Sequence, residues 1–151
     1  MSMITVTREV AATPDRVWAV ITDLERTAEV IRGITRLERL DNGAGFTVGT
    51  KWRETRVMFG KEATETLTVT ALAPGQTYTT EADSHGTHYR SIFTLTAKGQ
   101  NTLLAMGFEG KPHGKVTRTA AFIGRLFEGP TRRMLQRDLD DIAKAAESAA
   151  D

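Results

Sequence analysis

Between Thr47 and Gly110 apolar and polar residues alternate in short runs, and four turn signals break the runs without disturbing the phase of one face. Alternation with period two reads as β-strand. Gly60-Lys61 suits a two-residue turn with Gly first. Ala73-Pro74-Gly75-Gln76 puts Pro and Gly in type II positions. His85-Gly86 and Gly99-Gln100 supply two more turns. The first turn opposes Arg56 to Glu65, Glu54 to Leu67 and Trp52 to Val69. The second opposes Ala71 to Tyr78, Leu67 to Ala82 and Glu65 to Ser84. The third opposes Ala82 to Tyr89 and Tyr78 to Phe93, and the fourth opposes Leu95 to Leu104, Phe93 to Met106 and Ser91 to Phe108. A slip of one residue would flip every later side chain. Four turns that agree on one inner face therefore predict an antiparallel meander, in which a single bulge would spoil part of the register.

The flanks complete the pattern. Ile4 to Val10 alternates Ile4, Val6, Arg8 and Val10 against Thr5, Thr7 and Glu9, a first strand. Thr13-Pro14-Asp15 opens a short helix, with Thr13 as cap, Pro14 at the first helical position and Asp15 at the positive end. Thr22 or Asp23 caps a second short helix through about Ile31, and Ile34 to Leu40 reads as a second strand. From Lys115 to about Ala149 the period becomes helical. Val116, Ala120, Ile123 and Phe127 form one stripe, and Leu135, Leu139, Ile142 and Ala146 another. Gly129-Pro130 between them should kink or break the helix. Asp138, Asp140 and Asp141, which follow Arg132, Arg133 and Arg137, read as a solvated helix face. The elements predict an α+β chain, residues 1–151 as one domain.

Composition narrows the function classes. The 20 basic and 19 acidic residues leave a net charge of +1, which gives no electrostatic case for nucleic acid. With no cysteine there is neither a disulfide scaffold nor thiolate chemistry. Met1 to Glu9 lacks the apolar core of a signal peptide. No segment is apolar for long enough to span a bilayer, so stable membrane insertion is not expected. The default expectation is a soluble cytoplasmic protein.

The candidate chemistry lies on the inner face. It should carry Trp52, Glu54, Arg56, Glu65, Tyr78, Tyr89, Ser91 and Phe93, joined by Met106 and Phe108 from the last strand. A wall meant only as core would be aliphatic, because buried charges are costly unless paired. This one mixes aromatics with acids, a base and hydroxyls, as the wall of a ligand cavity does. Arg56 and Glu65 read as a cross-strand ion pair with Glu54 beside it. For Phe93, Met106 and Phe108 simple core packing is the stronger reading, whereas Trp52 and Tyr89 carry polar tips that need partners. Ser84, Ser91 and Thr80 can hydrogen-bond a ligand or merely the sheet. His85 and His88 point to opposite faces and His113 lies in a loop, so no metal site is expected. There is no nucleophile elbow, no P-loop and no dinucleotide fingerprint, so no cofactor is expected either.

Thr13-Pro14-Asp15-Arg16-Val17-Trp18, Ile21-Thr22-Asp23, Val48-Gly49-Thr50-Lys51-Trp52-Arg53-Glu54, Phe59 to Glu65 and Glu81 to Thr87 resemble the START-like, or Bet v 1-like (SRPBCC), superfamily. The chain looks in particular like its small bacterial polyketide cyclase/dehydrase-type members. The resemblance covers nearly the whole chain. It implies a helix-grip fold: a curved antiparallel sheet of six to seven strands wrapped around a long C-terminal helix, with two short helices after the first strand and a cavity between sheet and helix. Many relatives place an aromatic residue near the end of the second short helix. Here that stretch is Ala28-Glu29-Val30-Ile31, which makes one wall more aliphatic. Function is implied only loosely, since one fold hosts many activities. The first expectation is a binder of a small hydrophobic or aromatic ligand of lipid, polyketide or isoprenoid class. The second is a cofactor-independent cyclase, aromatase or dehydratase, with Arg56 stabilising an enolate and Glu54 or Tyr89 moving protons. The third is an interaction module resembling Hsp90-ATPase activators, which would need an exposed apolar patch. Ligand identity and oligomeric state stay open at this point.

Overall fold

The computed structural model describes residues 3–148; Met1, Ser2 and Ala149, which the sequence reading included in the first strand region and the last helix, lie outside them. Strand β1 (Ile4–Val10) leads into α1 (Pro14–Ile21), a 3-10 turn at Leu24–Arg26 and the one-turn α2 (Thr27–Val30). Then follow β2 (Ile34–Arg39), β3 (Lys51–Met58), β4 (Lys61–Ala73), β5 (Thr77–Ser84), β6 (Thr87–Lys98), β7 (Asn101–Pro112) and α3 (Arg118–Ser148). The seven strands form one curved antiparallel sheet in the order β1-β7-β6-β5-β4-β3-β2, gripping α3. This is the helix-grip architecture.

The start of α1 is set by backbone geometry. Thr13 is extended, its carbonyl accepts from the N–H groups of Arg16 and Val17, and Pro14 occupies the first turn; the Thr13 side chain makes no capping bond. Thr22 closes α1 instead of opening the next helix, its hydroxyl donating to the Trp18 carbonyl at 2.7 Å.

The hairpins β5–β6 and β6–β7 keep the expected registers, with Tyr78 opposite Phe93, Ala82 opposite Tyr89 and Ser91 opposite Phe108. The β3–β4 register differs. Its turn is Phe59-Gly60, both with positive φ (51° and 80°), the geometry of a type I′ turn. Trp52 therefore faces Leu67, Glu54 faces Glu65 and Arg56 faces Ala63. Each pairing slides by two residues, so the faces are preserved although the partners change. Between β4 and β5 a bulge between Val69 and Ala71 sets Leu72, not Ala71, opposite Tyr78. Ala71 becomes exposed and Leu72 packs inward.

The main core joins Ile4, Val6 and Val10 of β1 and Leu104 and Met106 of β7 to Leu135, Leu139, Ile142 and Ala146 of α3. Each fully buried Leu or Ile contributes about 2 kcal/mol. A smaller cluster of Leu24, Trp52 and Val69 closes the other end of the sheet, packed by Phe46. The two halves of α3 behave differently. The stripe from Leu135 to Ala146 is buried as expected, whereas Ala120, Ile123 and Phe127 are exposed, as is Val116, which precedes a helix that starts at Arg118 and not at Lys115. Gly129-Pro130 does not break α3, which runs on through Pro130.

Candidate functional site

Between the sheet, the short helices and α3 lies a cavity of about 450 Å³. Strand alternation builds its walls: Trp52, Glu54 and Arg56 from β3, Glu65 and Leu67 from β4, Tyr78, Thr80 and Ala82 from β5, Tyr89, Ser91 and Phe93 from β6, Met106 and Phe108 from β7. All ten residues that the sequence placed on a ligand wall stand around this one space. Ser84 does not; it pairs with Thr87 at the hairpin end, and its hydroxyl lies 2.7 Å from His85 Nδ1. The short helices add Val20, Ile21, Leu24, Val30 and Ile31, an aliphatic wall. Helix α3 adds Gly124, Phe127, Thr131, Met134, Asp138 and Ile142.

The polar groups gather at one end. Trp52 Nε1 donates to Glu54 Oε1 at 3.0 Å. Glu54 Oε2 lies 3.6 Å from Arg56 Nε. Arg56 Nη1 and Nη2 donate to Asp138 Oδ1 and Oδ2 at 3.2 and 2.9 Å, a bidentate pair. Both side chains are nearly closed to solvent, at 13% for Arg56 and 7% for Asp138. Gly33 makes room for them, since a Cβ there would stand 3.3 Å from Arg56 Nη1. Burial disfavours the Arg56 charge, but Asp138 and then Glu54 outweigh it and hold the guanidinium more firmly protonated than usual. Burial pushes the Asp138 carboxyl above its ordinary range; Arg56 offsets this in part, while Glu54 and Asp141 add to it.

Two expectations are corrected here. Arg56 does not pair with Glu65, because the Phe59-Gly60 turn moves Glu65 opposite Glu54. Its partners are Asp138 and Glu54. Nor is the acidic run of α3 a solvated face. Asp138 and Asp141 are buried, Asp141 accepting from the backbone N–H and the Nε of Arg32 at 3.1 Å each, and only Asp140 is half-exposed, on Arg8. The signal was available: residues 135, 138, 139 and 142 fall at helical spacing on one face, which places Asp138 inside the apolar stripe.

The aromatic end is ordered by ring contacts. Tyr78 is buried, its hydroxyl donating to the Ile21 carbonyl at 3.4 Å. Burial, and secondarily the Glu54 charge, push its phenol far above the ordinary range. Phe93 lies 5.3 Å from Tyr78, and Tyr89 stacks on Phe108 at 5.7 Å. Gly110 seats the Tyr89 ring, since a Cβ there would stand 3.1 Å from Cε1. Phe46, from the loop between β2 and β3, stands 4.7 Å from Tyr78. It is a lone aromatic in a Gly- and polar-rich loop, and the pattern of the strands gave it no place.

The histidines lie elsewhere. His88 Nδ1 and Nε2 are each 2.8 Å from Asp83 and Glu81 oxygens, and His113 Nε2 is 3.0 Å from the same Asp83 oxygen. His113 is exposed in the loop before α3, with Asp83 as its side-chain partner. Among the described residues no three His, Asp or Glu side chains are arranged to hold a metal ion.

Over residues 1–147 the sequence matches the model of a family described as polyketide cyclase / dehydrase and lipid transport. No curated protein matches it. The fold is similar to that of TTHA0849 from Thermus thermophilus, with a TM-score of 0.82 at 14% identity, covering 99% of this chain and 100% of that one. It is similar to the Zhui aromatase/cyclase from Streptomyces sp. R1128, with a TM-score of 0.76 at 20% identity over 97% and 93% of the two chains. A START superfamily protein from Mycobacterium smegmatis superposes with a TM-score of 0.67 at 18% identity over 98% and 96%. At these identities the likeness is one of fold.

Proposed function

This chain belongs to the polyketide cyclase / dehydrase and lipid transport family, and from that premise we propose that residues 1–151 form one helix-grip domain that binds a small, largely apolar ligand of lipid, polyketide or isoprenoid class. One observation carries the reading: a cavity of about 450 Å³ lined mainly by apolar side chains, with Glu54, Arg56 and Asp138 held together in its wall. Its size falls within the roughly 300–1,000 Å³ of small-molecule sites. Phe93, Met106 and Phe108, with Tyr89 and Ser91, take the body of the ligand. Trp52, Glu54, Arg56 and Glu65 surround its polar end, and Tyr78 stands between the two. Three of the five Arg56 N–H groups already face carboxylates. A hydroxyl suits what remains, since it donates to Glu54 or Glu65 and accepts from Arg56.

A second reading is a cofactor-independent cyclase or dehydratase. The carboxyl groups of Glu54 and Asp138 on the cavity wall favour it, because each is held beside the fixed Arg56 cation where a proton can be exchanged with a bound ligand. Arg56 would stabilise an enolate, with Glu54, Asp138 or Tyr89 moving the proton.

The test is the mass of the purified protein under native conditions set against its denatured mass, followed by titration with a fluorescent apolar probe. A non-covalent adduct, or saturable probe binding at one site, is expected. Absence of both would overturn the cavity reading. Conversion of a bound polyketide-like compound, measured by chromatography, would decide for the enzyme.

A further inference from the structure

The exposed half of α3 is not explained by the cavity alone. Phe122 and Leu126 are 57% and 60% exposed, and Ile123 and Phe127 are also exposed. Across the opening, Phe59 at the tip of the β3–β4 hairpin is exposed too, its ring 5.1 Å from that of Phe127. Single exposed apolar residues are ordinary; five grouped at one rim are not. Phe59 and Phe127 also line the cavity, so the patch runs into its mouth.

Charge sets the character of this rim. From residue 111 to 133 the chain carries six basic residues and one acid, Glu128, a net +5 in a protein of net +1. The remainder is therefore net −4. At about 100° per residue, Phe122, Ile123, Leu126 and Phe127 occupy one arc of α3, with Arg118 and Arg125 along one border. Lys115, Arg118 and Arg125 are exposed.

We propose that this rim docks on an anionic lipid bilayer, with Phe59, Phe122, Ile123 and Leu126 entering the interface and Lys115, Arg118 and Arg125 meeting the headgroups. An apolar arc edged by basic residues is the pattern of helices that lie in a membrane interface. No helix among the described residues is long and apolar enough to cross a bilayer, so the contact is peripheral. A second copy of the chain fits poorly, because a shared face would bring two basic borders together. A nucleic acid would use the basic border and leave the phenylalanines in water. The docked cavity mouth would open against the membrane, whatever the cavity holds.

The test is co-sedimentation of the full chain with vesicles of phosphatidylcholine and phosphatidylglycerol, at roughly three to one, against phosphatidylcholine alone. At least about tenfold tighter binding to the anionic vesicles is expected, weakening as salt rises. The double variants Phe122→Ser/Leu126→Ser and Arg118→Glu/Arg125→Glu should each lose about tenfold or more in binding. All four side chains are exposed, so both variants should keep the wild-type thermal midpoint. No vesicle binding, equal binding to both vesicles, or full retention in the Phe122→Ser/Leu126→Ser variant would overturn the proposal. A dimer in light scattering that this variant dissolves would also overturn it and assign the rim to a second copy. Capture of one stoichiometric protein partner, with no vesicle binding, would assign it to protein recognition. Neither variant touches the walls named for the ligand, so apolar-probe binding in solution reports on the cavity separately.

Discussion

Arg56 on β3 and Asp138 on α3 meet as a two-pronged pair at 3.2 and 2.9 Å, joining sheet and helix across 82 residues of chain. Both are buried, so removing one partner leaves the other an interior charge that has lost its two-pronged partner. Asp138→Ala should therefore cost about 3 kcal/mol, even though Glu54 remains 3.6 Å from Arg56. Arg56→Ala should cost a similar amount by leaving Glu54 and Asp138 facing each other. Replacing the whole group together, as in Arg56→Met/Asp138→Leu/Glu54→Gln, should recover most of the loss, because no buried charge is then left without a partner. Urea unfolding of the three variants checks this. A loss under about 1 kcal/mol for Asp138→Ala would show that the pair does not tie helix to sheet.

The pair also shows what the sequence could and could not convey. Period-two alternation with Gly at the hairpins was enough for β5, β6 and β7, whose turns at His85-Gly86 and Gly99-Gln100 lie where they were expected. It misplaced the β3–β4 turn, because the positive φ falls on Phe59 as well as Gly60, and a Phe at positive φ is not readable from composition. The slide was an even number of residues, so the cavity face survived while the Arg56 partner did not. The bulge near Thr70 left no signal at all. Asp138 was readable by helical phase and was masked by its charged neighbours in sequence, which are neighbours in the chain but not on one face of α3.

Ser91 stands on the cavity wall between Thr80 and Phe108 in the cross-strand ladder. Ser91→Phe would fill space now open to a ligand without touching the outer face. Apolar-probe affinity should fall by about tenfold or more, while the added buried surface holds or raises the thermal midpoint. Unchanged probe binding in a folded Ser91→Phe protein would place the probe outside this cavity.

His88 should titrate above its ordinary 6.5, since its hydrogen bonds to Glu81 and then Asp83 favour the charged ring. Asp83 and Glu81 are correspondingly lowered, Asp83 chiefly by His88 and His113, Glu81 first by Thr70 and then by His88. The folded state thus holds the His88 proton where the unfolded chain has begun to release it. Its contribution to stability is full below pH 6.5 and fades as pH rises through the higher folded-state value. NMR titration of the imidazole measures this directly. In Glu81→Gln the midpoint should move back toward 6.5; a midpoint indifferent to that substitution would remove Glu81 as the cause.

Pro130 stands where α3 passes from its exposed, rim-forming turns to the segment packed on β1. Beyond it, Arg132 Nη1 and Gln136 Nε2 donate to the Thr5 and Thr7 carbonyls at 3.0 and 3.2 Å, and Arg8 Nη1 lies 2.6 Å from Asp140. A proline inside a helix forfeits one backbone hydrogen bond and crowds the preceding turn, a cost of about 3 kcal/mol against alanine. If α3 tolerates this only as local strain, Pro130→Ala should stabilise the protein by about 1–3 kcal/mol in urea unfolding. If the proline instead aims the exposed turns over the cavity mouth, Pro130→Ala should also change the exchange rate of a bound apolar probe. The two readouts separate the roles. Stability gained with exchange unchanged leaves the proline as strain alone. Stability lost would mean that a bend at Pro130 is required for Leu135, Leu139 and Ile142 to reach the core.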